Sequence, residues 1–326
     1  MSLTDFVLAD VRVEPGSRGQ AELPVSRLPT GSELAIPVEV LHGTRPGPTI
    51  WLSGAVHGDE IVGVEIIRQV LDETDETELA GTIIAAPVVN VFGFVAESRY
   101  LPDRRDLNRS FPGSRTGSLA AQIARLFLEE VVARCDFGLD FHAGSGDRTN
   151  HPQVRGNMED PSTRRLAVAF GAPLAIHSKT IRGSLREAAV KRGITTLLFE
   201  GGEPRRFSAK AVDAGVAGTL NVLEALGMRE QLNVAPAADT LVSWSTRWVR
   251  APRGGIFRME SELGEHVIKG QRLGVISGPS GRDRVVVRAR ASGVIVGHSV
   301  NPLVHRGDGL VHIALDGEPV DAEALG

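Results

Sequence analysis

Residues 49–56 form a largely apolar run, residues 61–71 carry apolar side chains at helical spacing, and residues 81–89 are apolar again, ending at Asn90. This succession of strand, helix and strand constrains the chain more than any other feature. Two strands joined through a helix lie parallel in one sheet, and such crossovers are almost always right-handed. An α/β domain follows. Further β-like runs at 136–142 and 194–199 and helical stretches at 117–133, 162–170, 184–192 and 208–226 extend the pattern, with an extended segment at 172–177. Residues 32–40 alternate as a strand does. Residues 1–32 are turn-rich, while 91–115 and 145–161 read as loops. After about residue 245 short β-like runs alternate with glycines, which predicts an all-β module. Ala235-Pro236-Ala237-Ala238 marks the boundary, so the expected division is 1–240 and 241–326.

The chemistry gathers where these runs end. Gly54-Ala55-Val56-His57-Gly58-Asp59-Glu60 closes the first strand. An imidazole and a carboxylate three residues apart can converge on one metal ion, and catalytic zinc takes three protein ligands. His142, at the end of Gly138-Leu139-Asp140-Phe141-His142, is the candidate third. The pair alone fits equally a loop histidine followed by acidic residues at a helix start. Between Ser98 and Gly113 lie four arginines, two aspartates and Asn108. They make either an anion-binding lining or a solvated loop. Glu200 ends the 194–199 run, where open α/β sheets place their chemistry. Glu203, beside Pro204, is the competing carboxylate.

Four motifs occur in order: Gly54 to Glu60 as above, Asp106-Leu107-Asn108-Arg109-Ser110-Phe111-Pro112-Gly113, Asp140-Phe141-His142, and Phe199-Glu200-Gly201-Gly202. From about Ile36 to Ala314 the chain resembles the succinylglutamate desuccinylase/aspartoacylase family, a branch of the zinc carboxypeptidase superfamily. The resemblance implies a zinc-carboxypeptidase-like mixed sheet flanked by helices, with a small barrel-like β domain at the C-terminus. It implies one Zn2+ per chain, held by His57, Glu60 and His142. It makes Glu200 the catalytic base and Arg99 the group that polarises the scissile carbonyl. Asn108 and Arg109 would clamp a substrate carboxylate, and Asp106 would be the outer partner of His57. The implied activity is hydrolysis of the amide of an N-acyl amino acid or similar small molecule. A carboxypeptidase acting on short peptides and a catalytically silent binding protein are the alternatives. The stretch between Tyr100 and Asp106 is longer than in aspartoacylases proper and contains Arg104 and Arg105, so Arg105 stands as the fallback for Arg99. Arg182 or Arg186 would add a substrate contact.

Composition narrows the field. A chain of 326 residues accommodates one large domain and a small one. A net charge of -4 and pI near 6.2 give no electrostatic case for nucleic acid or an anionic membrane. No apolar run approaches the ~20 residues of a membrane span, and no signal segment opens the chain. The single cysteine, Cys135, excludes an intrachain disulfide and a multi-cysteine zinc site, and the cytoplasm is expected. A homo-oligomer is left open. The C-terminal module resembles lipoyl-type barrels, but its tip near Ser280 to Arg284 has no lysine, so no covalent cofactor is expected on Lys269 or elsewhere. His298, His305 and His312 read as surface or barrel residues.

Overall fold

Ala80–Ala86, Arg45–Ser53, Phe137–His142 and Thr195–Gly202 lie side by side and parallel in the computed structural model, which describes residues 3–230 and 240–320. The expected crossover is present, with helix Val62–Asp72 between the first two strands in sequence. Helices cover both faces. On one face Ile66, Val70, Val216 and Leu166 pack against Leu139, Phe141 and Phe199. On the other, Ile123, Phe127 and Leu185 pack with Trp51 and Ile84. Burial on both faces is why these strands read as continuous apolar runs rather than alternating ones.

Antiparallel strands extend both edges, so the sheet is mixed. Glu33–His42 and Ser17–Arg27 lie beyond Ala80–Ala86. Beyond Thr195–Gly202 lies Arg148–Gly156. This last strand corrects the reading of 145–161 as a loop. Its composition is polar, yet its backbone pairs with Thr195–Gly202 on one side and with Gly293–Ser299 and Leu174–His177 on the other. The turn-rich N-terminus also holds strands, including the Phe6–Leu8 and Val11–Val13 hairpin. Within 91–115 the chain forms helix Val91–Val95, capped by Asn90, and a 3-10 turn at Leu107–Arg109, capped by Asp106.

Among the described residues after Thr246 the chain holds strands and turns but no helix, as expected of an all-β module, and these strands pair antiparallel. Gly293–Ser299, Gly309–Leu315 and Thr246–Arg250 continue the main sheet, joined to it where Gly297 faces Asn150. A second sheet of four strands, Val285–Arg288, Arg272–Ser277, Gly255–Met259 and Leu303–Val304, packs on them. Phe257, Leu273, Ile276, Ile295 and Val311 fill the space between. The boundary expected at Ala235 to Ala238 lies outside the described residues. Among the described residues no helix is long and apolar enough to cross a membrane.

Candidate active site

Three neighbouring parallel strands end at one place. Register pairs Ser53 with Asp140 and Glu200 with His142. After Ser53 the chain turns through Ala55, whose φ of 46° lies in the left-handed region that a side chain disfavours. The turn then packs directly on helix Val91–Val95. A Cβ on Gly58 would stand 1.9 Å from the Gly93 carbonyl carbon, so only glycine fits. The Glu60 amide donates to the His57 carbonyl at 3.0 Å, closing the turn just before helix Val62–Asp72.

His57, Glu60 and His142 are all buried, and one ligand atom from each lies within 4.8 Å of the others. Glu60 Oε1 is 2.8 Å from His57 Nδ1, and its Oε2 is 2.8 Å from His142 Nδ1. The outer nitrogens have carboxylates of their own. His57 Nε2 meets Asp106 Oδ1 at 3.2 Å, and His142 Nε2 meets Asp140 Oδ2 at 2.9 Å. An Nε2 proton donated outward leaves each Nδ1 lone pair facing Glu60. Two imidazole nitrogens, each oriented from behind by a carboxylate, and the Glu60 carboxylate make a donor set that could hold a divalent metal ion. Asp140 is wholly buried and is held in turn by the Ser53 hydroxyl at 2.8 Å.

The electrostatics agree with that geometry. Burial pushes the Glu60 carboxyl up, but His57 and His142 outweigh it and hold it well below the ordinary range. Burial likewise pushes Asp106 up, and His57 and Arg99 pull it well down. Burial opposes charge on His142, yet Asp140 and Glu60 hold it above its ordinary value. Cations therefore gather on this cluster, and a metal ion would compete there with protons.

Arg99 donates to Asp106 Oδ2 at 2.9 Å and to Glu60 Oε1 at 3.2 Å, beside the cluster. Arg105 is 62% exposed and pairs with Asp103 at 3.7 Å, away from it. The Asn108 side-chain oxygen accepts from the Leu185 amide at 2.8 Å, which leaves its NH2 group for the pocket. Arg109 is exposed, donates to the Asn108 carbonyl at 2.6 Å and lines the same pocket. Glu200 accepts from Asn150 Nδ2 at 2.7 Å. Burial raises its pKa against the pull of Arg155 and His142. Glu203 pairs instead with Arg206 at 3.6 Å, outside the pocket.

His57, Glu60, Arg99, Asn108, Arg109, His142 and Glu200 line one pocket of about 270 Å³. Its far wall contains residues that sequence reasoning missed. Asn150 and Arg155 come from the strand read as a loop. Trp248 and His312 come from the C-terminal strands. Their rings stack 4.5 Å apart, and the Arg148 guanidinium lies 4.9 Å over Trp248. His312, read as a surface or barrel residue, lies on a C-terminal strand of the main sheet, buried, with its ring reaching the pocket. No local spacing announces any of these; only the ladder that joins the C-terminal strands to Arg148–Gly156 brings them in. A larger cavity of about 590 Å³ lies toward the other end of the same strands, lined by Thr195, His177 and Arg186. Arg186 spends its guanidinium there on Ser178 and the Lys179 carbonyl. Arg182 is exposed and lies outside both cavities.

A family model of the succinylglutamate desuccinylase/aspartoacylase catalytic domain matches residues 46–226. The chain belongs to that family. Other comparisons agree with the resemblance first drawn from four motifs. The N-alpha-acetyl-L-2,4-diaminobutyric acid deacetylase of Halomonas elongata is 28% identical over 322 residues, covering 94% of this chain and 93% of that protein. A crystal structure of a succinylglutamate desuccinylase/aspartoacylase from Rhodobacter sphaeroides superposes with a TM-score of 0.81 at 28% identity, over 92% of this chain and 96% of the other. The product-bound ectoine utilization protein EutE (DoeB) from Ruegeria pomeroyi gives 0.81 at 26% identity, over 91% and 94%. Within the desuccinylase/aspartoacylase family, the matched region contains His57, Glu60, His142 and Glu200 but stops short of Trp248 and His312.

Proposed function

We propose that the protein is a zinc-dependent deacylase that hydrolyses the amide of an N-acyl amino acid. The observation that carries this reading is the convergence of His57, Glu60 and His142 beside Glu200 in one small pocket. A zinc ion held by those three residues would lower the pKa of water toward ~7 and polarise a carbonyl. Glu200 takes the water proton and delivers it to the leaving amine. Its raised pKa suits both halves of that transfer. Arg99, held beside the cluster by Asp106, is the cation that would polarise the substrate carbonyl in this reading. Asn108 and Arg109 hold the α-carboxylate, for which a guanidinium fork is the natural partner. The pocket, walled by Trp248 and His312, suits a small amide better than a peptide. The relative named as an N-acetyl diaminobutyrate deacetylase supports the same class of substrate. We assign the hydrolase to residues 1–240 and that wall to a β module at 241–326. The lone cysteine, buried and free, suits a reducing compartment such as the cytoplasm.

Zinc-loaded protein screened against N-acetyl, N-formyl and N-succinyl amino acids, and against their carboxamides, tests this. The expected outcome is about one zinc per chain and hydrolysis of the free acids only. His142→Ala should lose the metal and remain folded. Glu200→Gln should keep metal and substrate while kcat falls by ~10²–10⁴. Equal rates on acids and carboxamides would remove the clamp, and a near wild-type kcat would remove Glu200 as the base.

A further inference from the structure

The cavity of about 590 Å³ lies at the other end of Thr195–Gly202 from Glu200, and the proposed reaction makes no use of it. Its size is that of an ordinary small-molecule site, about 300–1,000 Å³. Two chain segments wall it. Asn157 to Thr163 leads out of Arg148–Gly156 into helix Pro161–Phe170, and His177 to Arg186 leads out of Leu174–His177 into helix Leu185–Val190. Parallel pairing of Gly156 with His177 sets the two segments side by side.

The charges are sorted by wall. Glu159 and Asp160 belong to the first segment, Lys179 and Arg186 to the second. Asp160 is spent as the helix cap, its Oδ2 accepting from the Thr163 amide at 2.8 Å and hydroxyl at 2.7 Å. Glu159 is exposed, and among the described residues no cation lies within 4.0 Å of its carboxylate. Lys179 is likewise exposed and likewise without an opposite charge. Arg186 is only 6% exposed, yet both its Nη atoms donate to neutral oxygens: the Ser178 carbonyl at 3.1 Å, the Ser178 hydroxyl at 2.9 Å and the Lys179 carbonyl at 2.9 Å. Among the described residues no carboxylate lies within 4.0 Å of it. Burial and the charge of Arg155 push its pKa down to about 10. Beside these cations His177 Nδ1 is buried with no hydrogen-bond partner. Buried polar groups are nearly always satisfied, so an orphan on a cavity wall calls for a partner from outside the chain.

A simple anion in this cavity would leave Glu159 against it, and a simple cation would meet Lys179 and Arg186. Opposite charges on adjoining walls that do not pair with each other suit a ligand that carries both. A free amino acid is such a ligand, with its ammonium toward Glu159 and its carboxylate toward Lys179, Arg186 and His177. Acylation of the amine removes the positive charge, so an N-acyl amino acid fits the same walls less well. We propose that this cavity is a second binding site, for a free α-amino acid, the class of compound that the deacylase would release. The ligand's link to the reaction rests on the deacylase reading, whereas the site itself does not.

Trp244 supplies the readout, because its ring lies 5.4 Å from that of His177. Full-length protein carrying Glu200→Gln to stop turnover, and Trp248→Phe to remove the tryptophan of the catalytic pocket, is titrated with L-alanine, L-leucine and L-glutamine. Each is compared with its N-acetyl derivative and its carboxamide. At least one free amino acid should change the fluorescence saturably. It should bind about ten-fold tighter than its carboxamide, which loses a charged partner for the buried guanidinium. It should bind about three-fold tighter than its N-acetyl derivative, which loses only an exposed pair. Adding Glu159→Gln should abolish the second preference and Lys179→Gln should reduce the first, and both positions are exposed enough to leave the fold intact. Arg109→Ala should leave both preferences unchanged. No saturable change with any of the three amino acids overturns the proposal. So does equal binding of an amino acid and its N-acetyl derivative, or a response lost in Arg109→Ala but kept in Glu159→Gln and Lys179→Gln, which would put the ligand in the catalytic pocket. The expected responses in a protein that hydrolyses no N-acyl amino acid would refute the deacylase and leave the cavity as assigned.

Discussion

Glu200 owes its place to two residues that do no chemistry of their own. Asn150 donates to it at 2.7 Å, and Gly297, across the ladder, leaves Asn150 room to do so. A Cβ on Gly297 would stand 2.6 Å from Asn150 Oδ1. The Asn150 bond favours the ionised carboxylate, while burial opposes it. A base works only when ionised, so the acid limb of kcat/KM follows the Glu200 pKa. Asn150→Ala removes a donor to the charged form, and that limb should move to higher pH. A hydrogen bond to a charged group is worth about 1.5–3 kcal/mol, roughly one to two pH units. Activity lost near neutrality should therefore return in alkaline buffer. A uniform loss at every pH would instead make Asn150 a substrate ligand.

At the scale of elements, the legible parts of the chain are those whose burial is uniform. The central strands are covered on both faces, so their apolar runs show without knowledge of neighbours. His57, His142 and Glu200 follow those runs directly, which is why the candidate metal set and the proposed base stand out in the motifs. Arg148–Gly156 fails the same test. Val154 enters the core, but Asn150 and Arg155 face the pocket, and the strand exists because partners flank it on both sides. Arg186 is similar: on the buried side of a short helix, its guanidinium is drawn to the nearest free carbonyls. The metal loop offers the sharpest check at this scale. Gly58→Ala would drive a Cβ into the Gly93 backbone, and two backbone segments cannot yield as a flexible side chain does. Overpacking costs typically about 1–3 kcal/mol, and here relief requires moving His57 or helix Val91–Val95. The variant should melt lower and bind substoichiometric zinc. Unchanged melting and full metal content would show that the loop has slack.

At the scale of the molecule, the pocket depends on a sheet that does not stop at the expected boundary. Gly293–Ser299 pairs with Arg148–Gly156, and Thr240–Ser243 pairs with both Leu174–His177 and the late strand Glu318–Val320. An apolar cluster spans the junction, with Leu174 and Ile176 against Val296 and Ala314. The C-terminal region also has its own core around Phe257 and Ile276, so independent melting is a real alternative. Shared ladder bonds and shared apolar burial couple the two regions, because separating them would open strand edges and expose that cluster together. The expected outcome is one cooperative transition. Trp51 reports the first region's core, while Trp244 and Trp248 report the second. Urea unfolding followed by tryptophan fluorescence in wild type and in Trp51→Phe should give coincident midpoints, and both should match far-UV circular dichroism. Deletion of residues 241–326 should yield an insoluble or unfolded chain, since Arg148, Thr149 and Asn150 lose their ladder partner and the pocket loses Trp248 and His312. Two resolved transitions, or a soluble truncated chain with native circular dichroism, would show that the sheet's continuity carries little of the stability.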